Sequence, residues 1–326
     1  MCGGSACACS TLAEAPRLDL LVGDIGGTNS RFGLVPPGGL RPYAIATAPD
    51  EAYAAFEDAV AAYLQQTGET PGRAVFAVAG PVRNGAAHLT NRDWTIDAAA
   101  LSRRFGFAAV EVVNDFVAQA ASLPHLAPDD LRRIGGPEPR PEAVKAAVGP
   151  GTGLGVAALL RVEGKWLPVP SEGGHVELAA VSDREAGAFA EIRRRHGRVS
   201  AEHVLSGPGL ARLHHALHGG AELAAAAVTE RATQQDAAAL ETIEIFLRLL
   251  ARFAGDVALT FGAGAVYFCG GVLPKLIGFV DAGAFRSSFE AKGPHLGMMR
   301  ETATLLVTSP VAGLVGCAAL AEARSR

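Results

Sequence analysis

Apolar positions along the chain fall into short unbroken runs of strand length, set between glycine turns and stretches with helical spacing. Leu18 to Ile25 is the first such run, with Asp19 and Asp24 the polar positions near its ends, and it predicts a buried central strand. Gly26-Gly27-Thr28-Asn29 then reads as a tight turn, and Arg31 to Val35 as a second strand closed by Pro36-Pro37-Gly38-Gly39. Asp24 therefore falls at a strand end beside a glycine turn. Glu51 to Gln66 carries Tyr53, Phe56, Val60 and Leu64 at helical spacing. Ala74 to Ala79 and Val110 to Val113 read as further buried strands. The second runs directly into Asn114-Asp115, and helix resumes from Phe116 to Ser122. Strands alternating with helices indicate an α/β layer fold.

Pro124 to Pro141 is proline-rich, contains Gly135-Gly136, and is the best boundary in the chain. Beyond it the pattern restarts, with Ala146 to Val148 as a strand, Gly149-Pro150-Gly151-Thr152-Gly153 as a turn and Gly155 to Val162 as a second strand. This repeats the strand, Gly-Thr turn, strand arrangement around Gly27-Thr28, and two such hairpins suggest two related domains facing one cleft. Asp183 to about Gly262 reads as mostly helical. Thr229-Glu230 is the expected start of a long helix bearing Ile243, Phe246, Leu247, Leu250 and Phe253. Val266 to Cys269 is a strand running into Gly270-Gly271, Leu305 to Thr308 a late strand, and Val311 to Ala323 an alanine-rich closing helix.

Composition and charge exclude several classes. Of 326 residues, 49% are hydrophobic and 19% charged, ordinary for a folded globular chain. The formal net charge is -4 and no segment concentrates Lys and Arg, which argues against nucleic-acid binding. The densest basic stretch, Arg193 to Arg198, follows Glu185 and Glu191 and reads as a solvated helix C-terminus. No basic region precedes an apolar core at the N-terminus, so no signal peptide is expected. Val257 to Pro274 is uncharged, but Gly262, Gly264, Gly270 and Gly271 break it up, and it reads as buried structure, not a membrane span. Cys269 and Cys317 sit in apolar runs, whereas Cys2, Cys7 and Cys9 crowd a Gly/Ser/Ala-rich start. An odd total of five fits a reducing, cytoplasmic setting, and no ligand set completes a zinc site with the leader thiols.

Four places carry candidate chemistry. The two glycine turns let consecutive backbone N–H groups approach phosphate oxygens without a Cβ in the way, with Thr28, Asn29 and Thr152 as added donors. Neither turn ends in the Gly-Lys-Ser/Thr of a P-loop, and each alone is also an ordinary hairpin. Asn114-Asp115 stands where a buried strand stops. An ionised Asp115 can take a proton from an attacking hydroxyl, and equally can cap the helix that follows. Glu172 and His175 flank Gly173-Gly174 in Ser171 to Glu177, a carboxylate and an imidazole suited to pairing with neighbouring sugar hydroxyls, or simply a polar loop. Glu202, after Ser200, reads by itself as a first-turn helix carboxylate. Gly270-Gly271, between Cys269 and Pro274, offers bare backbone to a flat adenine ring, or a plain strand-to-helix turn.

Taken in order, these segments resemble the bacterial glucokinases, within the superfamily that includes hexokinase, actin and the heat-shock chaperone ATPases. The resemblance rests on Leu21 to Asn29, Thr90-Asn91-Arg92-Asp93-Trp94, Val113 to Phe116, Gly151 to Gly155, Glu172 to Val176, Ser200 to Leu210 and Gly270-Gly271, spanning about Leu18 to Pro274. It implies a two-domain actin-like (ribonuclease-H-like) α/β fold with a cleft between the lobes. A flexible leader over 1–17, a small domain of 18–123 plus 311–326 and a large domain of 124–310 are expected. It further implies ATP-dependent phosphorylation of the glucose 6-hydroxyl with Mg2+. Asp24 would help hold the magnesium–ATP complex; Gly26, Gly27, Thr28 and Asn29 would form the first phosphate loop, and Gly151, Thr152 and Gly153 the second. Gly270 and Gly271 would lie against adenosine, Asp115 would be the catalytic base, and Asn114, Glu172, His175 and Glu202 would bind the sugar. Ser30 stands where alanine is common in such loops, and no Cys-rich zinc motif follows Glu172 to His175, unlike in the repressor-related sugar kinases. A kinase for fructose or an amino sugar, and a non-catalytic nucleotide-dependent sugar sensor, are the competing readings. A homodimer is compatible with the sequence, which does not specify the oligomeric state.

Overall fold

The computed structural model describes residues 19–89 and 93–325; the leader with Cys2, Cys7 and Cys9, Leu18, and the Thr90-Asn91-Arg92 part of one motif lie outside the described residues. The chain opens with β1 (Leu20–Ile25), β2 (Asn29–Val35), β3 (Tyr43–Pro49), α1 (Phe56–Thr67) and β4 (Arg73–Val78). A small antiparallel sheet, β5 (Val82–Arg83), β6 (Ala86–Leu89) and β7 (Trp94–Asp97), leads to α2 (Ala98–Phe105), β8 (Ala109–Asn114) and α3 (Asp115–Ser122). The first main sheet has the order β3-β2-β1-β4-β8: an antiparallel meander followed by parallel partners.

The second half continues with β9 (Leu131–Gly135), β10 (Lys145–Pro150), β11 (Leu154–Val162) and β12 (Lys165–Ser171). Helices α4 (Asp183–His196), α5 (Ala201–Val204), α6 (Gly207–His218), α7 (Ala225–Thr233) and α8 (Ala237–Phe261) follow. Then come β13 (Ala265–Phe268), α9 (Leu273–Leu276), α10 (Ala282–Glu290), α11 (Leu296–Arg300), β14 (Ala303–Val307) and α12 (Ala312–Ser325). The second main sheet runs β12-β11-β10-β13-β14-β9. Apart from β9 it repeats the first sheet strand for strand, with β10–β11 antiparallel and β10–β13–β14 parallel, so the two glycine hairpins occupy equivalent places.

Packing explains the layers. On one side of the first sheet, Leu21, Ile25, Phe32, Phe56, Phe76 and Trp94 form a core with α1 and α2. On its other side Val22, Val75 and Ala77 meet Ala118 and Ala121 of α3 and Leu314, Cys317 and Ala318 of α12. The same two helices turn Ala120 and Ala312 to the second sheet, against Ala147, Ala157, Tyr267 and Leu305. The far face of that sheet, including Val148, Val156 and Phe268, is buried by Phe189, Leu213, Phe246 and Phe253 of the large helices. Thus α3 and α12 form a middle layer between two sheets. They approach closely because Gly316 has no side chain: a Cβ there would collide with the backbone of Ala118.

Some expectations change and others hold. The long helix is capped by Asp236, whose carboxylate accepts from Ala239 N at 2.8 Å, while Thr229 lies inside α7 with its hydroxyl on Ala225 O. The expected helix over Glu51–Gln66 begins at Phe56, since Asp50 is buried under a 2.7 Å hydrogen bond from Ser30 and holds a separate 3₁₀ turn. The proline-rich Pro124–Pro141 stretch carries a strand, β9, paired to β14. The uncharged Val257–Pro274 run divides into the end of α8, a turn, β13 and the start of α9. No helix among the described residues is long and apolar enough to cross a membrane. The basic run ends α4, and Gly197 closes it with its N–H on Arg193 O.

Candidate active site

Strand periodicity aims the first candidate. Val22 faces the middle layer, so Asp24, two residues on, faces it as well. There Asp24 meets the first turn of α12, where a Cβ on Gly313 would stand 2.6 Å from Asp24 Oδ2. Burial raises the Asp24 carboxyl above the usual carboxylate range, and the charge of Arg31, its partner across β2, opposes the rise. Arg31 also reaches the Pro310 carbonyl.

Asp115 is the first residue of α3, in the same middle layer. The cap itself is Asn114: its Oδ1 accepts from Phe116 N at 2.9 Å and Val117 N at 3.3 Å, and its Nδ2 donates to Gly80 O at 3.1 Å. The cap position is thus its neighbour's, while Asp115 Oδ1 also accepts from Phe116 N at 3.0 Å, the bonding that the capping alternative expected of it. Burial, then the negative charge of Asp24, push the Asp115 carboxyl up to about 7, against hydrogen bonds from the backbone N–H groups of Phe116 and Asp115 and from the Asn114 side chain. The next residue, Phe116, lays its ring where side chains on Gly149 and Gly155 of the β10–β11 hairpin would overlap it. Asp115 is thereby registered against the opposite sheet.

Both glycine turns are tight hairpins. Gly26 N bonds to Asn29 O at 3.1 Å and Gly151 N to Gly153 O at 2.8 Å, so these two amides point into their own turns. Thr28 and Thr152 stand exposed at the tips. The Gly270-Gly271 loop closes on the second hairpin through Val272 N to Pro150 O, 3.1 Å. Gly270 has φ of +82° and leaves only 2.7 Å between a would-be Cβ and Pro150 O, so a bare backbone is required there.

The sugar candidates come from both halves of the chain. A cavity of about 360 Å³ is walled by Val82, Val113, Asn114 and Val117 on one side and by Pro170, Ser171 and Glu172 on the other. Asp115, His175 and Glu202 are not among its wall residues. Glu172 and His175 flank a 3₁₀ turn, largely exposed, 3.9 Å apart. That turn sits tightly on β11, where a Cβ on Gly174 would strike Leu154 O. Leu178 N to Val199 O (3.0 Å) and Ala201 N to Val176 O (2.8 Å) zip the following segment to the start of α5. Glu202 is thus carried to the same rim, where its Oε2 accepts the N–H of Leu154 at 2.9 Å. Neither the approach of Gly313 to Asp24 nor the bond between Glu202 and Leu154 follows from local sequence pattern. The Gly313/Gly316 pair inside a helix was the available signal of close approach.

Among the described residues no group of three or more His, Cys, Asp or Glu side chains could hold a metal ion by itself. The arrangement has instead two carboxylates in a middle layer, glycine hairpins from two matching sheets, and polar side chains facing across a cavity.

Residues 21–324 match the family model described as Glucokinase. The chain is 43% identical over 309 residues to a glucokinase of Caulobacter vibrioides, covering 91% of this chain and 93% of that one. A crystal structure of glucokinase from an Antarctic psychrotroph superposes with TM-score 0.84 at 34% identity, covering 93% of this chain and 98% of the other. A Streptomyces griseus ROK family glucokinase solved with glucose and AMPPNP shares the fold, with TM-score 0.65, 20% identity and coverage of 93% and 98%.

Proposed function

Because this chain belongs to the glucokinase family and is an ATP-dependent glucose kinase, we propose that Asp115 is the general base for the glucose 6-hydroxyl. The observation that carries this reading is the position of Asp115 at the start of α3, between the two sheets, beside Asp24 and next to the cavity walled by Asn114 and Glu172. A carboxyl near 7 is well matched to accept a proton at neutral pH. Phosphoryl transfer asks the protein mainly for positioning and charge neutralisation. We take the chain as two lobes, 18–123 with 311–326 and 124–310, each supplying some of these groups.

In this reading Glu172, His175, Glu202 and Asn114 hold the sugar hydroxyls. The first loop (Gly26, Gly27, Thr28, Asn29) and the second (Gly151, Thr152, Gly153) receive the phosphates, and Gly270-Gly271 lies against the adenine. The donor set also fits Mg2+, which takes one or two carboxylates and completes its shell with water and phosphate oxygens. Asp24 would hold it, and the raised carboxyls of Asp24 and Asp115 mark a place short of positive charge. When bound, the ion would neutralise charge on the outer phosphates. The buried free thiols Cys269 and Cys317 accord with a reducing cytoplasmic setting.

Asp115→Asn should lower kcat by about 10²- to 10⁴-fold and leave glucose affinity by calorimetry close to wild type; near-normal turnover would remove Asp115 from the base role. Initial rates of ADP release over glucose, fructose, mannose and glucosamine measure strictness for glucose.

A further inference from the structure

The contact between Glu202 and Leu154 joins two sites that the reading above treats separately. Oε2 of Glu202 takes the backbone N–H that ends the second phosphate loop, at 2.9 Å. Gly153 is bare at that point: a Cβ there would lie 2.5 Å from the same oxygen. The other end of the loop is held by the same stretch of chain, since Gly207 N donates to Gly151 O at 2.7 Å. Ser206 ties the two grips together, its hydroxyl donating to Glu202 O at 2.9 Å and accepting from Gly209 N at 3.0 Å. Segment 202–209 thus clasps the Gly151-Thr152-Gly153 loop at both ends. Glu202 Oε1 is left without a hydrogen bond among the described residues.

We propose that Glu202 is a positioning residue that couples the hexose site to the nucleotide site, one carboxylate oxygen receiving a sugar hydroxyl while the other fixes the phosphate loop through Leu154. This rests on the assignment of Glu202 to the sugar site. A hydroxyl on Oε1 restricts the rotamer of Glu202, which orders the loop before the phosphates arrive. The nucleotide then pays less ordering entropy and binds more tightly. By linkage, nucleotide tightens sugar by the same factor.

The test is calorimetric titration of AMPPNP with Mg2+, in the absence and presence of saturating glucose. In the wild-type chain glucose should lower the AMPPNP Kd by a factor within the usual coupling range of about 5 to 150. In Glu202→Ala, AMPPNP without sugar should bind more weakly than to wild type, and the effect of glucose should fall to near unity. Glu172→Gln, whose side chain makes no hydrogen bond to the Gly151-Thr152-Gly153 loop among the described residues, should weaken glucose far more than it weakens sugar-free AMPPNP. Wild-type AMPPNP affinity in sugar-free Glu202→Ala, or no glucose effect on the wild type, overturns the coupling. Should Glu202→Ala fail to fold, hydrogen exchange of the wild-type chain decides: glucose alone should slow exchange at residues 151–155, and unchanged exchange overturns the proposal. These failures leave the kinase reading standing, whereas that reading fails separately if the wild-type chain releases no ADP on adding glucose.

Discussion

At the scale of single residues, the proposed role of Asp115 makes its charge state decide the pH behaviour. A base must be deprotonated to act, so kcat/KM should climb as pH rises through about 7 and level off above it. Burial raises the Asp115 carboxyl most and the charge of Asp24 next, which makes a further test possible. Asp24→Asn should bring the Asp115 carboxyl down while leaving it above its ordinary value, as read by carbon-13 titration of the aspartate side chains. Stability follows the opposite sign. A carboxyl raised in the folded state contributes stability that is present below its unfolded pKa and is lost as pH rises through the folded value. Asp115→Asn should therefore melt higher than wild type at pH 8, with the advantage shrinking as pH falls through 7. Equal melting temperatures at pH 8 would contradict the burial and repulsion inferred for this site.

At the scale of elements, helix α3 does most of the positioning, and its seat is Phe116 on Gly149 and Gly155. Gly155→Ala puts a methyl group into the ring, so it should cost about 1–3 kcal/mol of stability by overpacking and displace the base. Denaturant melts and turnover should fall together, and adding Phe116→Leu should recover part of both. Much of this architecture was legible beforehand. The two Gly-Thr hairpins, the strand ending at Asn114 and the alanine-rich closing helix are encoded by local runs and turns, which periodicity reads directly. What escaped was tertiary. Asn114 and Asp115 are equally good caps by residue type, and only the fold decides which turns inward. The break before α8 carries no proline; Gln235 at φ +64° and the Asp236 cap make it. The bond between Glu202 and Leu154 spans 48 residues and no spacing rule announces it.

At the scale of the whole molecule, the cavity proposed to take the sugar draws walls from both halves of the chain, Val82 and Asn114 from one side and Pro170 and Glu172 from the other. Glucose should therefore stabilise the whole chain and not one half. At a concentration 100 times its Kd the added stability should be about 2.7 kcal/mol, seen as a single sharpened transition by calorimetry; Glu172→Gln should forfeit most of it at the same concentration. The seating of Phe116 between bare glycines has one more consequence. If that ring is the fulcrum on which the halves swing, the atoms nearest it travel least. The aspartate one residue away would keep its address whether the jaws stand wide or shut, and the longest arc would be swept by the far lips, where Val82 looks across at Pro170. A hexose entering the open enzyme would then find the proposed proton acceptor already waiting, with only the door left to close.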